Sequence, residues 1–184
     1  TFMRSVLLFP YVAPVVALAY TWELLLDPNS GTLNSLLLNY QIIETPINLL
    51  GQKYIEISFL GFDFKLRLAL TTVIMFEIWR YFPLAFLFIL ARLQAIPKEL
   101  YEAADVDGAS PFQKFFNITL PQITAVISIL FMIRFIWNFN KFEDVFLLTG
   151  GASGTRTLPI NVYQQGFAMS DIGMGSAVSI VIVV

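Results

Sequence analysis

The sequence predicts an all-α, polytopic membrane protein, and three observations carry that prediction. Mean hydropathy is +0.73 and only 13% of the 184 residues are charged, far from the balance of a water-soluble domain. Residues 5–26, 68–91 and 121–139 each approach the roughly 20 apolar residues with which a helix crosses about 30 Å of hydrocarbon. A fourth apolar run begins near Gly173 and continues to Val184. The segments between these runs carry turn and hairpin signals.

The elements follow in chain order. In 5–26, Pro10 and Pro14 mark kinks and Trp22 an interfacial anchor. Arg4 ahead of an apolar stretch also fits a secretory leader, but no small-residue cleavage site follows, so a span is the better reading. Thr1 at the start and the open apolar run at the end read as an excerpt of a longer chain. "DPNSGTLNSL" (27–36) makes a turn and then a short amphipathic stretch. "KYIEISFLGFDFKLRL" (53–68) alternates apolar and polar residues on both sides of Gly61, which predicts a small extramembrane β-hairpin over 51–67. After the second span, Pro97 opens and Gly108 ends a short helix. Ser110, Pro111 and Gln113 then supply the N-cap, first-turn proline and N3 partner of a capping box for a second helix. Leu100, Ala103, Ala104 and Asp107 share a face of the first of these helices, and Phe112, Phe115, Phe116 and Thr119 a face of the second. The pair makes a solvated elbow between spans. Beyond the third span, "LLTGGASGTRTLP" reads as a glycine-rich loop and "INVYQQGFAM" as a short helix or re-entrant piece.

Several functions are excluded. With no Cys and no His the chain has no thiolate or imidazole metal site, no Cys nucleophile and no Ser-His-Asp triad. A net charge of −2 without clustered bases gives no surface for nucleic acid. Loop 92–114 carries Arg92, Lys98 and Lys114 against Lys53, Lys65 and Arg67 in 27–67. The positive-inside rule therefore favours a cytoplasmic 92–114 loop by density alone.

From pattern alone the elbow reads equally well as a plain connector. Its residues carry more than that. Glu102-Ala103-Ala104, three residues, Gly108, nine residues and Ile118-Thr119-Leu120-Pro121 resemble the EAA signature of the membrane subunits of bacterial ABC importers. "LFPYVAPVVALAYTW", "LARLQAIPKELYEAADVDGAS" and "FEDVFLLTGG" are similar to segments of the sugar-importing, maltose-type, binding-protein-dependent branch, so the resemblance covers nearly all of 1–184. It implies one permease domain of the type I (MetI-like) fold, multi-pass in the bacterial cytoplasmic (inner) membrane. Four transmembrane helices are recognisable, further helices precede Thr1, loop 27–67 is extracytoplasmic and loop 92–120 is a cytoplasmic coupling-helix loop. The implied partners are two ATP-binding cassette subunits, a second permease in a heterodimer, an extracytoplasmic solute-binding protein and the lipid bilayer. ATP and Mg sit on the cassette subunits, and this chain holds no cofactor and catalyses no bond chemistry. By the same resemblance Glu102 contacts the ATPase, Ala103 and Ala104 allow a tight fit, Gly108 supplies the bend, and Ile118, Leu120 and Pro121 lock the elbow onto the next span. Plain helix initiation is the competing reading of Leu120 and Pro121.

Charges inside spans cost about 2.5 to 3.5 kcal/mol on insertion scales and usually face a cavity or a partner. Glu77 and Arg80 share a helix face at i, i+3, so they can neutralise each other. Alternatively Glu77 and Arg134 line an aqueous path. The resemblance favours the path, with Glu77, Arg80, Leu84, Arg134, Asn138, Lys141 and Phe142 as its substrate residues. Asn138 matches a sugar-contact position, whereas Lys141 and the intramembrane charges depart from the neutral residues of the maltose type and leave room for an acidic or phosphorylated sugar. Trp137, Asn138, Asn140 and Phe142 supply the amides and aromatic faces a sugar needs, although Trp137 and Phe142 also fit an interfacial belt. Tyr163 and Gln164 are lesser candidates. The implied function is sugar or oligosaccharide import; glycerol phosphate or a polyamine on the same architecture is the alternative, and a membrane-embedded enzyme using Glu77 is remote.

Overall fold

The computed structural model describes residues 2–59 and 62–183. Ten α-helices, two π turns and one two-stranded sheet follow one another along these residues. They cluster into two compact units, one of Thr1–Tyr11 with Tyr81–Asn138, the other of Val12–Arg80 with Phe139–Val184.

The first predicted span is two helices rather than one kinked helix: α1 (Phe2–Val12) and α2 (Val15–Leu26). Pro10 is tolerated inside α1, but Pro14 stands at ψ 131° as the N-cap of α2. A proline pushes the residue before it out of the helical region and donates no hydrogen bond, so the break falls at 13–14. Trp22 is also reassigned. It packs edge-on against Phe76 at 5.2 Å between centroids and lies 5.6 Å from Trp79, in the core of the second unit rather than in an interfacial belt.

The turn after α2 hangs on Asp27. Its Oδ1 accepts from the backbone N–H of Ser30 at 2.7 Å, that of Asn29 at 2.9 Å and the Ser30 hydroxyl. These donors, the Ser30 N–H foremost, hold the carboxyl below its ordinary value. α3 (Thr32–Asn39) then places Asn34, 2% exposed. Its amide donates to the Ile47 carbonyl at 2.9 Å and accepts from the Ile47 N–H at 3.0 Å, fastening the loop that follows.

The predicted hairpin is present as β1 (Ile55–Phe59) and β2 (Phe62–Leu66), antiparallel with Ile55 opposite Leu66 and Ile57 opposite Phe64. Its turn, including Gly61, lies outside the described residues. The exposed Lys65–Glu56 pair at 3.1 Å keeps this face in water.

α4 (Leu68–Gln94) has 27 residues, about 40 Å at 1.5 Å per residue, enough to cross a bilayer with tilt. α5 (Lys98–Val106) and α6 (Pro111–Lys114) form the elbow. A π turn over Phe115–Thr119 joins α6 to α7 (Leu120–Phe139) without a break. The third span therefore belongs to one continuous helix of 29 residues from Pro111. This removes the reading of Leu120 and Pro121 as a helix start. Pro121 sits inside a helix, where its ring crowds the carbonyl four residues back and its nitrogen donates nothing. The widened turn relieves that crowding, with the Leu120 N–H reaching the Phe115 carbonyl.

α8 (Glu143–Thr149), which the sequence reading does not foresee, is stopped by Gly150 at φ 60°. α9 (Leu158–Tyr163), capped by the Thr157 hydroxyl, runs into a second π turn, Gln164–Ala168. α10 (Ile172–Val183) is apolar and runs to the last described residue, and a Cβ on its Gly175 would lie 3.2 Å from the Gly166 backbone, so it packs directly on that turn. Of the four spans predicted, two helices, Leu68–Gln94 and Pro111–Phe139, are long and apolar enough to cross a membrane among the described residues, or three if α1 and α2 count as one broken span.

The core of the second unit gathers Leu18 and Ala19 of α2, Val73 and Phe76 of α4, Val145 and Leu148 of α8 and Ile160 of α9. Phe76 and Ile160 are fully buried. This core packs α8 against α2, with Val73 and Phe76 of α4 in the same cluster.

Candidate functional site

Two sites emerge, one in each unit. In the first, the elbow is built as the residue pattern predicts. Ser110 accepts from the Gln113 N–H while the Gln113 side chain accepts from the Ser110 N–H at 2.7 Å, a complete capping box. Gly108 stands at φ +71° with no atom within 4 Å of where a Cβ would be, so only its backbone conformation demands glycine. Glu102 and Ala103 are exposed, Ala104 is half-buried, and no residue of α5 is fully buried. Ile118 and Leu120 are half-buried in and just after the π turn, and Pro121 is exposed.

Three contacts brace this elbow. The Tyr101 hydroxyl and Thr119 Oγ1 are hydrogen-bonded at 2.8 Å, Lys114 pairs with Asp105, and the Arg92 guanidinium donates to the Gln122 carbonyl at 2.9 Å and to its side-chain oxygen. Tyr101 and Gln122 escape the sequence reading, and Arg92 enters it only as a loop charge. Each partner lies 18 or 30 positions away, beyond any helical or strand periodicity.

Arg134, Asn138 and Leu84 belong to this unit too. The Arg134 guanidinium lies 3.8 Å from the Tyr81 ring centroid and 6.0 Å from that of Trp137, a cation–π seat. Tyr81 is also edge-on to Tyr11 at 6.2 Å. Asn138 is exposed at the end of α7 and Leu84 is half-buried.

In the second unit, Glu77, Arg80, Lys141 and Phe142 come together around Asp144, a residue the sequence reading passes over. Lys141 Nζ lies 3.0 Å from Glu77 Oε2 and also meets Asp144 Oδ2, while Arg80 Nη1 meets Asp144 Oδ1. The Asp144 side chain is 2% exposed; those of Arg80 and Lys141 are 14% and that of Glu77 17%. Arg80 pairs with Asp144 at the start of α8, and Glu77 with Lys141 just before it. The signal available was the i, i+3 spacing of Lys141 and Asp144 just past a span.

Aromatic rings flank the cluster. Phe142 stacks on Phe146 at 4.8 Å and lies 5.5 Å from Tyr163, which stacks on Phe167 at 5.6 Å. Half-buried against the core, Phe142 does not fit an interfacial belt. The Thr157 hydroxyl donates to the Lys141 carbonyl at 2.8 Å and so ties the start of α9 to the cluster. Gln164 Nε2 reaches the Gly150 carbonyl at 3.3 Å.

Residues 1–184, the whole chain, match the family described as the binding-protein-dependent transport system inner membrane component. The chain belongs to that family. Its relatives include the inner membrane ABC transporter permease protein YcjO of Escherichia coli (strain K12), 36% identical over 179 residues, 97% of this chain and 56% of that protein. The trehalose/maltose transport system permease protein MalF of Thermococcus litoralis is 35% identical over the same shares. The sn-glycerol-3-phosphate transport system permease protein UgpA of Yersinia pseudotuberculosis is 34% identical over 183 residues, again 97% of this chain and 56% of that protein. The chain thus spans somewhat over half the length of these relatives. Among solved structures, a bacterial ABC transporter involved in the import of the acidic polysaccharide alginate superposes with a TM-score of 0.72 at 22% identity, over 97% of this chain and 58% of that one. The fold of this inner membrane component is therefore that of an importer permease, as the elbow signature leads one to expect, and the protein resides in a membrane.

Proposed function

We propose that this chain is the pathway-forming part of a permease subunit in an ATP-driven importer, and that its solute is a sugar or oligosaccharide handed over by a solute-binding protein. The observation that carries the reading is the braced, water-exposed elbow bearing the complete importer signature, Glu102 to Pro121, in a chain that belongs to the family along its whole length. In this reading the elbow docks on one of two ATP-binding cassette subunits, which hold ATP and Mg, while this chain holds no cofactor. A second permease supplies the other half of the path in the bacterial cytoplasmic membrane.

The elbow's construction suits the task. Docking at Glu102, Ala103 and Ala104 pushes on α5; Tyr101–Thr119, Lys114–Asp105 and Arg92–Gln122 pass the push to α7 as a rigid body. The path then alternates between the outer face and the cytoplasm, with Glu77, Arg80, Leu84, Arg134, Asn138, Lys141 and Phe142 along it. The test is uptake by the full importer reconstituted in proteoliposomes. ATP-dependent accumulation of a radiolabelled oligosaccharide, lost when the cassette subunits are omitted, is expected; no accumulation of any saccharide would overturn the solute class.

Glycerol phosphate is the second reading. The glycerol-phosphate relative favours it. Accumulation of radiolabelled glycerol 3-phosphate in the same vesicles, in place of saccharide, would establish it.

A further inference from the structure

The second unit holds a groove that the solute path does not use. Trp22, Leu25 and Leu26 of α2, Leu33 and Leu36 of α3 and Trp79 of α4 wall a space of about 360 Å3. Apart from the two indole N–H groups, the Thr32 hydroxyl is the only polar side-chain group on its walls. A saccharide would lose the hydrogen bonds of its hydroxyls here and is excluded as the occupant. The volume is about a dozen times what a water molecule takes in the liquid, room for one hydrocarbon chain and far too little for a helix about 10 to 12 Å across. The walls are set from outside the groove, by the Asn34 bonds to Ile47 and the Asp27 bonds to Asn29 and Ser30. Trp79 stands eleven residues into α4, about 16 Å along its axis, and the exposed Lys65 and Arg67 just ahead of α4 mark the water boundary. The groove floor therefore lies within a hydrocarbon layer about 30 Å thick, where acyl chains are the solvent.

Charge selects among lipids. Residues 12–52 carry Glu23, Asp27 and Glu44 and no Lys or Arg. Asp27 stands in the turn between Leu26 and Thr32, at one end of the groove, where the C-terminus of α2 adds the negative end of its dipole. Its three donors all use Oδ1, which leaves Oδ2 for a cation. Among the described residues neither Glu23 nor Asp27 is in an ion pair. We propose that this groove seats one acyl chain of a phospholipid whose headgroup carries a primary ammonium, paired with the Asp27 carboxylate at the groove's end. An ammonium brings a positive charge and three N–H donors. A choline headgroup brings the charge without the donors, and a glycerol headgroup leaves the phosphate's negative charge facing acids. The inference goes beyond the permease reading and needs only that the chain resides in a membrane.

The experiment uses the full importer in nanodiscs. Phosphatidylethanolamine, phosphatidylcholine and phosphatidylglycerol, each with a photoreactive group on an acyl chain, are added in turn as a minor component of the same bilayer, and labelled residues are read by peptide mass spectrometry. The ethanolamine lipid is expected to label residues 22–36 and Trp79 about threefold or more over either of the others, the range of an exposed ion pair. Asp27→Asn should bring its labelling down to theirs. Leu36→Trp, which fills the groove, should remove labelling there by all three. If Asp27→Asn fails to assemble, the wild-type ratio and Leu36→Trp decide. Equal labelling by the three lipids, stronger labelling by the glycerol lipid, an Asp27→Asn variant that keeps the ethanolamine preference, or a Leu36→Trp variant labelled like the wild type overturns the inference. So does a groove that no lipid labels, which would mean that protein covers it in the assembly. Each of these outcomes leaves the permease reading intact.

Discussion

In the elbow, no residue of α5 is buried, and the Asp105 carboxylate that pairs with Lys114 is 64% exposed. In the ion cluster, the Asp144 carboxylate is 2% exposed and meets two cations. The same residue types therefore work differently in the two regions. A pair in water contributes about 0 to 1 kcal/mol, so the elbow's shape has to come from its backbone: Pro97 as cap, Gly108 at φ +71°, the Ser110–Gln113 box and the π turn before Pro121. The cluster's shape comes from charge, because an uncompensated buried ion is costly enough to dictate where α4 and α8 place their side chains.

The largest effect that would test this contrast is at Asp144. Asp144→Leu removes the buried carboxylate that Arg80 and Lys141 share, at a cost of about 3 to 5 kcal/mol. Asp105→Asn, its counterpart in the elbow, should cost under about 1 kcal/mol. Thermal unfolding of the two variants in detergent should separate them clearly, and equal shifts would erase the distinction. Next comes Gly108→Val. A β-branched residue in the left-handed region costs about 1 to 2 kcal/mol, and since nothing lies within 4 Å of the added Cβ that cost is conformational. Membrane insertion should be normal and ATP-driven uptake abolished. Normal uptake in Gly108→Val would detach the bend from coupling.

Much of the elbow was legible in the sequence because its determinants are local. Pro111 at a first turn, a glycine at a helix end and a Ser-x-x-Gln box act over four residues and are present as read, while Pro97 stands one step outside, as the N-cap of α5. The hairpin around Gly61 was legible for the same reason, through its period-two alternation. What escaped was set by distance or by competition. Asp144 looks like one of two acids in a loop until α8 carries it to Arg80, 64 positions earlier. Trp22 at a span end has the pattern of an interfacial anchor, and only the packing of α2 on α4 makes it core. Pro14 and Pro121 show why span limits were misjudged. One broke a helix that hydropathy joined; the other sits inside a helix that its presence suggested should start there.

Ser110→Ala removes the capping oxygen and should cost about 1 kcal/mol, read as a modest fall in thermal midpoint with partly reduced coupling of ATP hydrolysis to uptake. The least effect is at Asp27. Its carboxyl is held below the ordinary value of 3.8, first by the Ser30 N–H. The stability it lends the 27–47 turn is thus complete above the unfolded value and is lost as pH falls through the lower folded one. Limited proteolysis of this turn should accelerate only below about pH 4, and Asp27→Asn should flatten that dependence.

In the proposed importer the exposed face of α5 touches an ATP-hydrolysing partner. The chain contains no cysteine, so Glu102→Cys places one thiol of this segment on that face. Reaction of the assembled importer in membranes with a short bifunctional crosslinker should join this position to a cassette subunit, with a yield that changes between nucleotide-free and ATP-bound states. No crosslink to a cassette subunit in either state, with position 102 labelled instead by an impermeant reagent from the outer side of the membrane, would contradict it.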